Sequence, residues 1–135
     1  MLTRSESETE YLGEKISAIE GLRFLALSGD LGAGKTALVR GLARGLGVYE
    51  GVQSPTFVLG RMYKGRRALW HFDFYRLEKE SDLEALDWPP PQAGALVAVE
   101  WAEKFPGAFP QGTLWLRMGL VDAGTRSLRL GGTPV

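Results

Sequence analysis

The segment Gly29-Asp30-Leu31-Gly32-Ala33-Gly34-Lys35-Thr36 leaves this chain few folds to choose from. The pattern GxxxxGK[ST] places glycines where a backbone wraps an anion, so that successive N–H groups converge on phosphate oxygens with no side chain in the way. Gly29, Gly32 and Gly34 supply that freedom, Lys35 puts an ammonium within reach of the β and γ phosphates, and Thr36 offers a hydroxyl to a magnesium ion. The competing reading is a glycine-rich turn that caps a helix without a ligand. The flanking residues argue against it. Phe24-Leu25-Ala26-Leu27 is a continuous apolar run, as expected of a strand buried on both faces. Leu38, Val39, Leu42 and Leu46 keep one apolar stripe along a helix that begins at Lys35 and stops at Gly45 and Gly47. Strand, glycine loop and helix in that order predict an α/β fold with a nucleotide phosphate site.

The remaining residues fill in that fold. Ser7 with Glu10 fits a capping box ahead of Leu12, Ile16 and Ile19, which predicts a short amphipathic helix ending by Gly21. Phe57 to Tyr63 and Ala68 to Phe74 flank Lys64-Gly65-Arg66 and predict an antiparallel hairpin. Ser81 with Glu84 offers another helix start, which Pro89-Pro90-Pro91 stops within about two turns. Ala95 to Val99 predicts a second buried strand, and Thr113 to Met118 with Ser127 to Leu130 a closing pair joined through Asp122-Ala123-Gly124. At 135 residues this is expected to be one domain over 1–135, with 131–135 a loose tail. The predicted architecture is a P-loop-like sandwich, a central mixed sheet with a parallel core and antiparallel strands, flanked by helices.

Composition narrows the function. The chain has no cysteine, so disulfides, thiolate metal sites and cysteine nucleophiles are excluded. An acidic, polar N-terminus without the blocks of a signal peptide, and no apolar run long enough for a membrane span, make the cytoplasm the expected location and a membrane partner unexpected. Sixteen basic residues balance sixteen acidic ones. No global positive field would hold the chain on nucleic acid, so any RNA contact is local, weak or made through partners.

A phosphate site with magnesium needs an acid at a strand end. Glu100 follows Leu96-Val97-Ala98-Val99, and Asp73 follows Leu69-Trp70-His71-Phe72; each is a candidate for the metal or for positioning water, and spacing alone does not rank them. His71, the single histidine, shares a strand face with Asp73 by alternation and reads best as packed and hydrogen-bonded. Ser54-Pro55-Thr56-Phe57 occupies the place of a γ-phosphate-sensing segment, with Ser54 and Thr56 as switch-like candidates. Arg61, Lys64, Arg66 and Arg67 gather at the hairpin, where a solvated turn explains them as well as an RNA or protein contact does. Trp101 either stacks on a ligand or is packed in the core. The chain contains no asparagine and no Asp-x-x-Gly, which argues against a regulatory GTPase, and it has little room for the lid of a small-molecule kinase. What remains is a minimal ATPase whose turnover is coupled to a partner.

GDLGAGKT, SPTF, HFDFYRL from His71 to Leu77, and Val99-Glu100-Trp101 together closely resemble the TsaE family, bacterial ATPases of tRNA threonylcarbamoyladenosine biosynthesis, over about Thr9 to Arg126. The resemblance implies binding of ATP and Mg2+ and association with the TsaD and TsaB proteins, which transfer the threonylcarbamoyl group to the adenosine beside the anticodon. A member of this family would not perform the transfer itself. By the resemblance, Gly32, Ala33, Gly34, Lys35, Thr36 and Ala37 hold phosphate, Thr36 and Glu100 hold the metal, and Lys35, Asp73 and Glu100 are catalytic. Thr9 and Arg126 then flank the base or ribose. Two departures stand out: Leu83-Glu84-Ala85-Leu86-Asp87 runs into Trp88 and three prolines where relatives often have Leu-Glu-x-x-Gly, and Ala37 replaces a frequent second threonine.

Overall fold

Ser5 starts the first helix. From an extended conformation its hydroxyl accepts the Glu8 N–H at 3.0 Å, and helix α1 runs Glu6–Ser17. Sequence points instead to Ser7 with Glu10. Two overlapping Ser-x-x-Glu patterns compete here, and tertiary contacts decide between them. The Glu10 carboxylate is drawn onto Arg40 at 3.6 Å and Arg44 at 3.0 Å on the second helix, while Glu8 accepts the Arg4 N–H at 3.1 Å.

The computed structural model describes residues 1–30, 33–52, 59–90 and 94–134. Leu31, Gly32, the stretch with Ser54 and Thr56, and Pro91 lie outside the described residues. The strands are β1 (Leu2–Thr3), β2 (Phe24–Gly29), β3 (Gly60–Tyr63), β4 (Leu69–Asp73), β5 (Leu96–Glu100), β6 (Leu114–Asp122) and β7 (Thr125–Gly131), and the second helix is α2 (Lys35–Gly45). They form one seven-stranded sheet in the order β1-β7-β6-β2-β5-β4-β3. The central four, β6-β2-β5-β4, are parallel, and β3, β7 and β1 join antiparallel at the edges. This is the predicted mixed sheet. β1 had no sequence forecast, since two residues carry no periodicity; its pairing Leu2↔Ser127 and Thr3↔Arg126 exists only because β7 lies alongside.

Alternation in β2 divides the core. Leu25 and Leu27 face α1 and α2 and pack with Leu38, Val39 and Leu42; Ala26 faces the other way, with Val97, Val99, Phe72 and Trp115. That second face is covered by an aromatic layer, in which Trp88 meets Phe72, Phe74 and Phe109 at 5.2–5.5 Å between ring centroids. The layer is held by 3-10 turns at Glu80–Leu86, Ala102–Lys104 and Pro106–Ala108. The predicted Ser81–Glu84 cap is not used. Asp82 accepts the N–H groups of Glu78 and Lys79 at 3.0 and 3.1 Å, tightening the segment into a 3-10 turn. On the opposite side α1 crosses α2 with backbones nearly touching: a Cβ added at Gly13 would lie 2.9 Å from Leu42 N and 3.0 Å from Gly41 Cα.

The chain leaves β2 toward β4 and β5 on one side and returns to β6 on the other. β2 therefore sits where the order reverses, and a crevice opens past the C-terminal ends of the parallel strands. Gly29, Asp73 and Glu100 are the last residues of β2, β4 and β5.

Candidate active site

Two helix N-termini in this chain are treated differently. α1 is capped by Ser5 and has Glu6 and Glu8 in its first turn; α2 follows Gly34, which gives it no side-chain cap, and has no acidic residue in its first turn. Its first N–H groups carry the positive end of the helix dipole and have no intrahelical acceptors. Gly34 makes that start possible, with φ 94° and ψ 17°, a left-handed conformation that a side chain would strain.

The α2 start opens into a cleft of about 550 Å³. Of the predicted site residues, the structure brings Thr9, Ala33, Gly34, Lys35, Thr36, Ala37, Asp73, Glu100 and Arg126 to its walls. Gly32, Ser54 and Thr56 fall among the residues not described. Ser5, Glu6 and Arg40 line the same cleft without having been singled out from sequence. Their signal is tertiary: α1, packing on α2, brings Ser5 and Glu6 to the wall that Arg40 on α2 also lines.

Lys35 is 5% exposed. Its Nζ donates to the Gly29 carbonyl and lies 3.8 Å from the centroid of the Trp101 ring. Burial pushes the ammonium pKa below the ordinary lysine value, while Glu103, Glu100, Asp73 and Asp30 pull it back up. Trp101 is thus neither purely core nor free; it adopts φ 59°, which turns the chain from β5 into the Ala102–Lys104 turn. That turn carries Glu103, whose Oε2 accepts the Gly29 N–H at 3.1 Å. Glu103 was missed because 74 residues separate the partners and nothing local marks the contact.

Asp73 and Glu100 are paired across β4 and β5 in register, both on the face toward α2. Asp73 is 7% and Glu100 4% exposed. Burial raises the Asp73 pKa above the usual carboxylate value, and the Tyr75 N–H, donating to Oδ1 at 2.9 Å, acts against that. Glu100 Oε2 accepts from His71 Nε2 at 2.6 Å and from the Thr36 hydroxyl at 3.4 Å. His71 is fully buried on the Asp73 face, as alternation predicts.

The donor set fits a hard divalent cation. Among the described residues no group of three or more His, Cys, Asp and Glu converges as a cage. A threonine hydroxyl beside one strand-end carboxylate suits Mg2+, which keeps several waters and takes phosphate oxygens rather than an all-protein shell.

At the other end of the cleft, the Thr9 hydroxyl is bonded to the Thr3 hydroxyl at 2.7 Å and to Ser5 O at 3.3 Å, pinning β1 to α1. Arg126 donates to Asp122 O at 3.2 Å and to Ala123 O at 3.4 Å, bracing the β6–β7 turn beside Gly34. The hairpin cations divide. Arg66 donates to Gly45 O, and Arg67 to Leu22 O and Gly94 O at 2.6 Å each, so both serve as backbone ties; Arg61 and Lys64 are exposed.

Comparison with known proteins agrees with this geometry. Residues 3–128 match the family model described as threonylcarbamoyl adenosine biosynthesis protein TsaE. A Treponema pallidum protein named tRNA threonylcarbamoyladenosine biosynthesis protein TsaE is 35% identical over 129 residues, covering 94% of this chain and 96% of the relative. The protein of that name from Haemophilus influenzae is 32% identical, covering 87% and 85%. The Nostoc one is 42% identical over 104 residues, of which the match covers 60% of the relative. Among solved structures, the crystal structure of Bacillus subtilis YdiB superposes with a TM-score of 0.77 at 26% identity, covering 98% of this chain and 84% of that one. With a seven-stranded mixed sheet, an uncapped helix start at the phosphate motif and a family match spanning nearly its whole length, the chain belongs to the TsaE family.

Proposed function

We propose that the chain is an ATP-binding and ATP-hydrolysing subunit of tRNA threonylcarbamoyladenosine biosynthesis, acting on a TsaD–TsaB transferase rather than transferring the group itself. The observation that carries this reading is the uncapped α2 N-terminus opening, beside Lys35 and Thr36, into a cleft that also holds two strand-end carboxylates. The N–H groups of Ala33 to Ala37 and the Lys35 ammonium bind the phosphates. To reach them, Lys35 exchanges its bond to Gly29 O for a charge-assisted one. Thr36 and Glu100 would hold a Mg2+ ion, which would supply charge neutralisation for the phosphates. Asp73, its basicity raised by burial, holds the attacking water. Thr9 and Arg126 flank the nucleoside, and Ser54 with Thr56 senses the γ phosphate. The names of the relatives support the pathway. The cytoplasm is the compartment this function requires, and among the described residues no helix is long and apolar enough to cross a membrane.

Magnesium-dependent ATP turnover, measured for the chain alone and with TsaD and TsaB added, tests the proposal, with Lys35→Ala as control. Lys35→Ala removes a charge-assisted phosphate contact worth about 1.5–3 kcal/mol, an affinity loss of roughly 10- to 150-fold. Partner-stimulated turnover that disappears in Lys35→Ala is expected. Robust turnover indifferent to the partners would point to an independent phosphotransferase, and unchanged ATP affinity in the variant would remove the loop from the site.

A further inference from the structure

We propose that His71 is a positioning residue for the magnesium site: through Nε2–H it fixes the Glu100 carboxylate so that one oxygen is tied back and the other is presented to the cleft. The proposal rests on the Mg-ATP reading above and adds a residue to it.

Three observations carry it. His71 and Glu100 lie diagonally on adjacent strands; the residue directly opposite His71 is Ala98, whose methyl leaves the imidazole room to lean along the sheet to Glu100. The 2.6 Å bond ends on Oε2, the same oxygen that accepts the Thr36 hydroxyl, so a single carboxylate oxygen gathers both donors. An ionised carboxylate accepts and does not donate, which puts the ring hydrogen on Nε2. Finally, Nδ1 is buried and has no partner among the described residues, so the bond to Glu100 is what the ring supplies to the hydrogen-bond inventory of this core. A histidine kept only for packing would leave the orientation of Glu100 indifferent to it.

Removal of His71 leaves a carboxylate 4% exposed with one long hydroxyl contact, and such a group turns toward water instead of staying in place. Outer-shell partners of metal ligands are typically worth about 10- to 100-fold in metal affinity or activity. The effect belongs to the magnesium-dependent part of nucleotide binding and spares the part made by Lys35 and the loop amides.

Calorimetric titration of ATP, with magnesium and again with EDTA, separates the two for the unaltered chain, His71→Leu and His71→Gln. Affinities in EDTA are expected to agree among the three. The gain on adding magnesium should fall by about tenfold or more in His71→Leu and return largely in His71→Gln, whose amide N–H takes the place of Nε2–H. A full magnesium gain in folded His71→Leu overturns the proposal and leaves the nucleotide reading intact; no ATP binding by the unaltered chain overturns both.

A second measurement needs no variant. His71 is the only histidine, so its ring nitrogens give one unambiguous set of NMR signals. The Nε2–H tautomer, with a signal that shifts when magnesium is added to the ATP-loaded chain, is expected. An Nδ1–H tautomer, or a ring indifferent to magnesium, refutes the role.

Discussion

Gly41→Ala tests how closely the cleft depends on the contact between the two helices. Two effects oppose each other. Alanine is the better helix former by about 1 kcal/mol, which alone predicts a more stable protein. In the structure, however, the added Cβ would lie 2.6 Å from the Glu10 carbonyl carbon and 2.9 Å from Glu10 Cα, and closer still to the Glu10 oxygen. These are backbone atoms of α1, so no rotamer relieves them. Restoring the 3.4 Å at which ordinary contact begins, measured from the Glu10 oxygen, requires α1 to withdraw by about 1.6 Å. Overpacking of this kind costs about 1–3 kcal/mol, or more where backbone must move. Overpacking wins, and a net loss of about 1–2 kcal/mol is expected, roughly 3–8 °C in Tm for a domain of this size.

The consequence extends to the ligand. The four exposed ion pairs between the helices, including Arg40–Glu6 at 2.7 Å and Arg44–Glu14 at 2.5 Å, are each worth little but register α1 on α2. α1 also carries Thr9 and, at its start, Ser5 and Glu6 into the cleft. A withdrawn α1 should therefore weaken ATP by on the order of tenfold or less, leaving the loop itself unaltered. Calorimetric melting and ATP titration of the same variant check both. A Tm raised by the propensity term would show that the helices do not approach as described and would refute the reasoning.

Burial raises the Asp73 pKa, so the folded chain holds that proton more tightly than the unfolded one, and stability falls as pH rises through the folded value. Asp73→Asn keeps an oxygen for the Tyr75 N–H and should raise Tm near neutral pH while lowering turnover; a gain that does not shrink as pH falls toward the ordinary carboxylate value would contradict this. Arg67 ties Leu22 O and Gly94 O at the end of the sheet away from the cleft, so Arg67→Met should cost about 1–2 kcal/mol of stability with ATP affinity unchanged. Thermal melts unaltered by that change would return Arg67 to the class of free surface cations.

The αL start at Gly34 and the uncapped N-terminus of α2 were legible in sequence because their signal is local, a glycine directly ahead of an amphipathic run. The strand-end acids were legible for the same reason: an apolar run that stops at Asp73 or Glu100 announces a strand end without knowledge of its neighbours. Long-range pairings were not legible. Glu103 on the Gly29 N–H and His71 on Glu100 are made by chain segments that meet only after the sheet has formed. Ser5 against Ser7 shows the intermediate case, where two local signals of equal quality are separated by an ion pair thirty-four residues away in sequence.

The placement of charge carries one more consequence. Lys35 stands among Glu103, Glu100, Asp73 and Asp30, each of which favours its ammonium. A triphosphate entering beside it meets those same carboxylates. At about 5 Å and an effective dielectric near 20, each like-charge pair costs roughly 3 kcal/mol, more than one shared lysine offsets. The nucleotide should therefore bring its own divalent cation. Removal of magnesium is expected to weaken ATP by on the order of 100-fold, about 2.7 kcal/mol, and AMP, which lacks the β and γ phosphates, hardly at all. Titrations of both nucleotides with and without EDTA measure the difference. Equal ATP affinity without magnesium would mean that the compensating charge is on the chain, which would move the phosphates toward Arg40 or Arg126 at the cleft wall and leave Glu100 without a metal to hold.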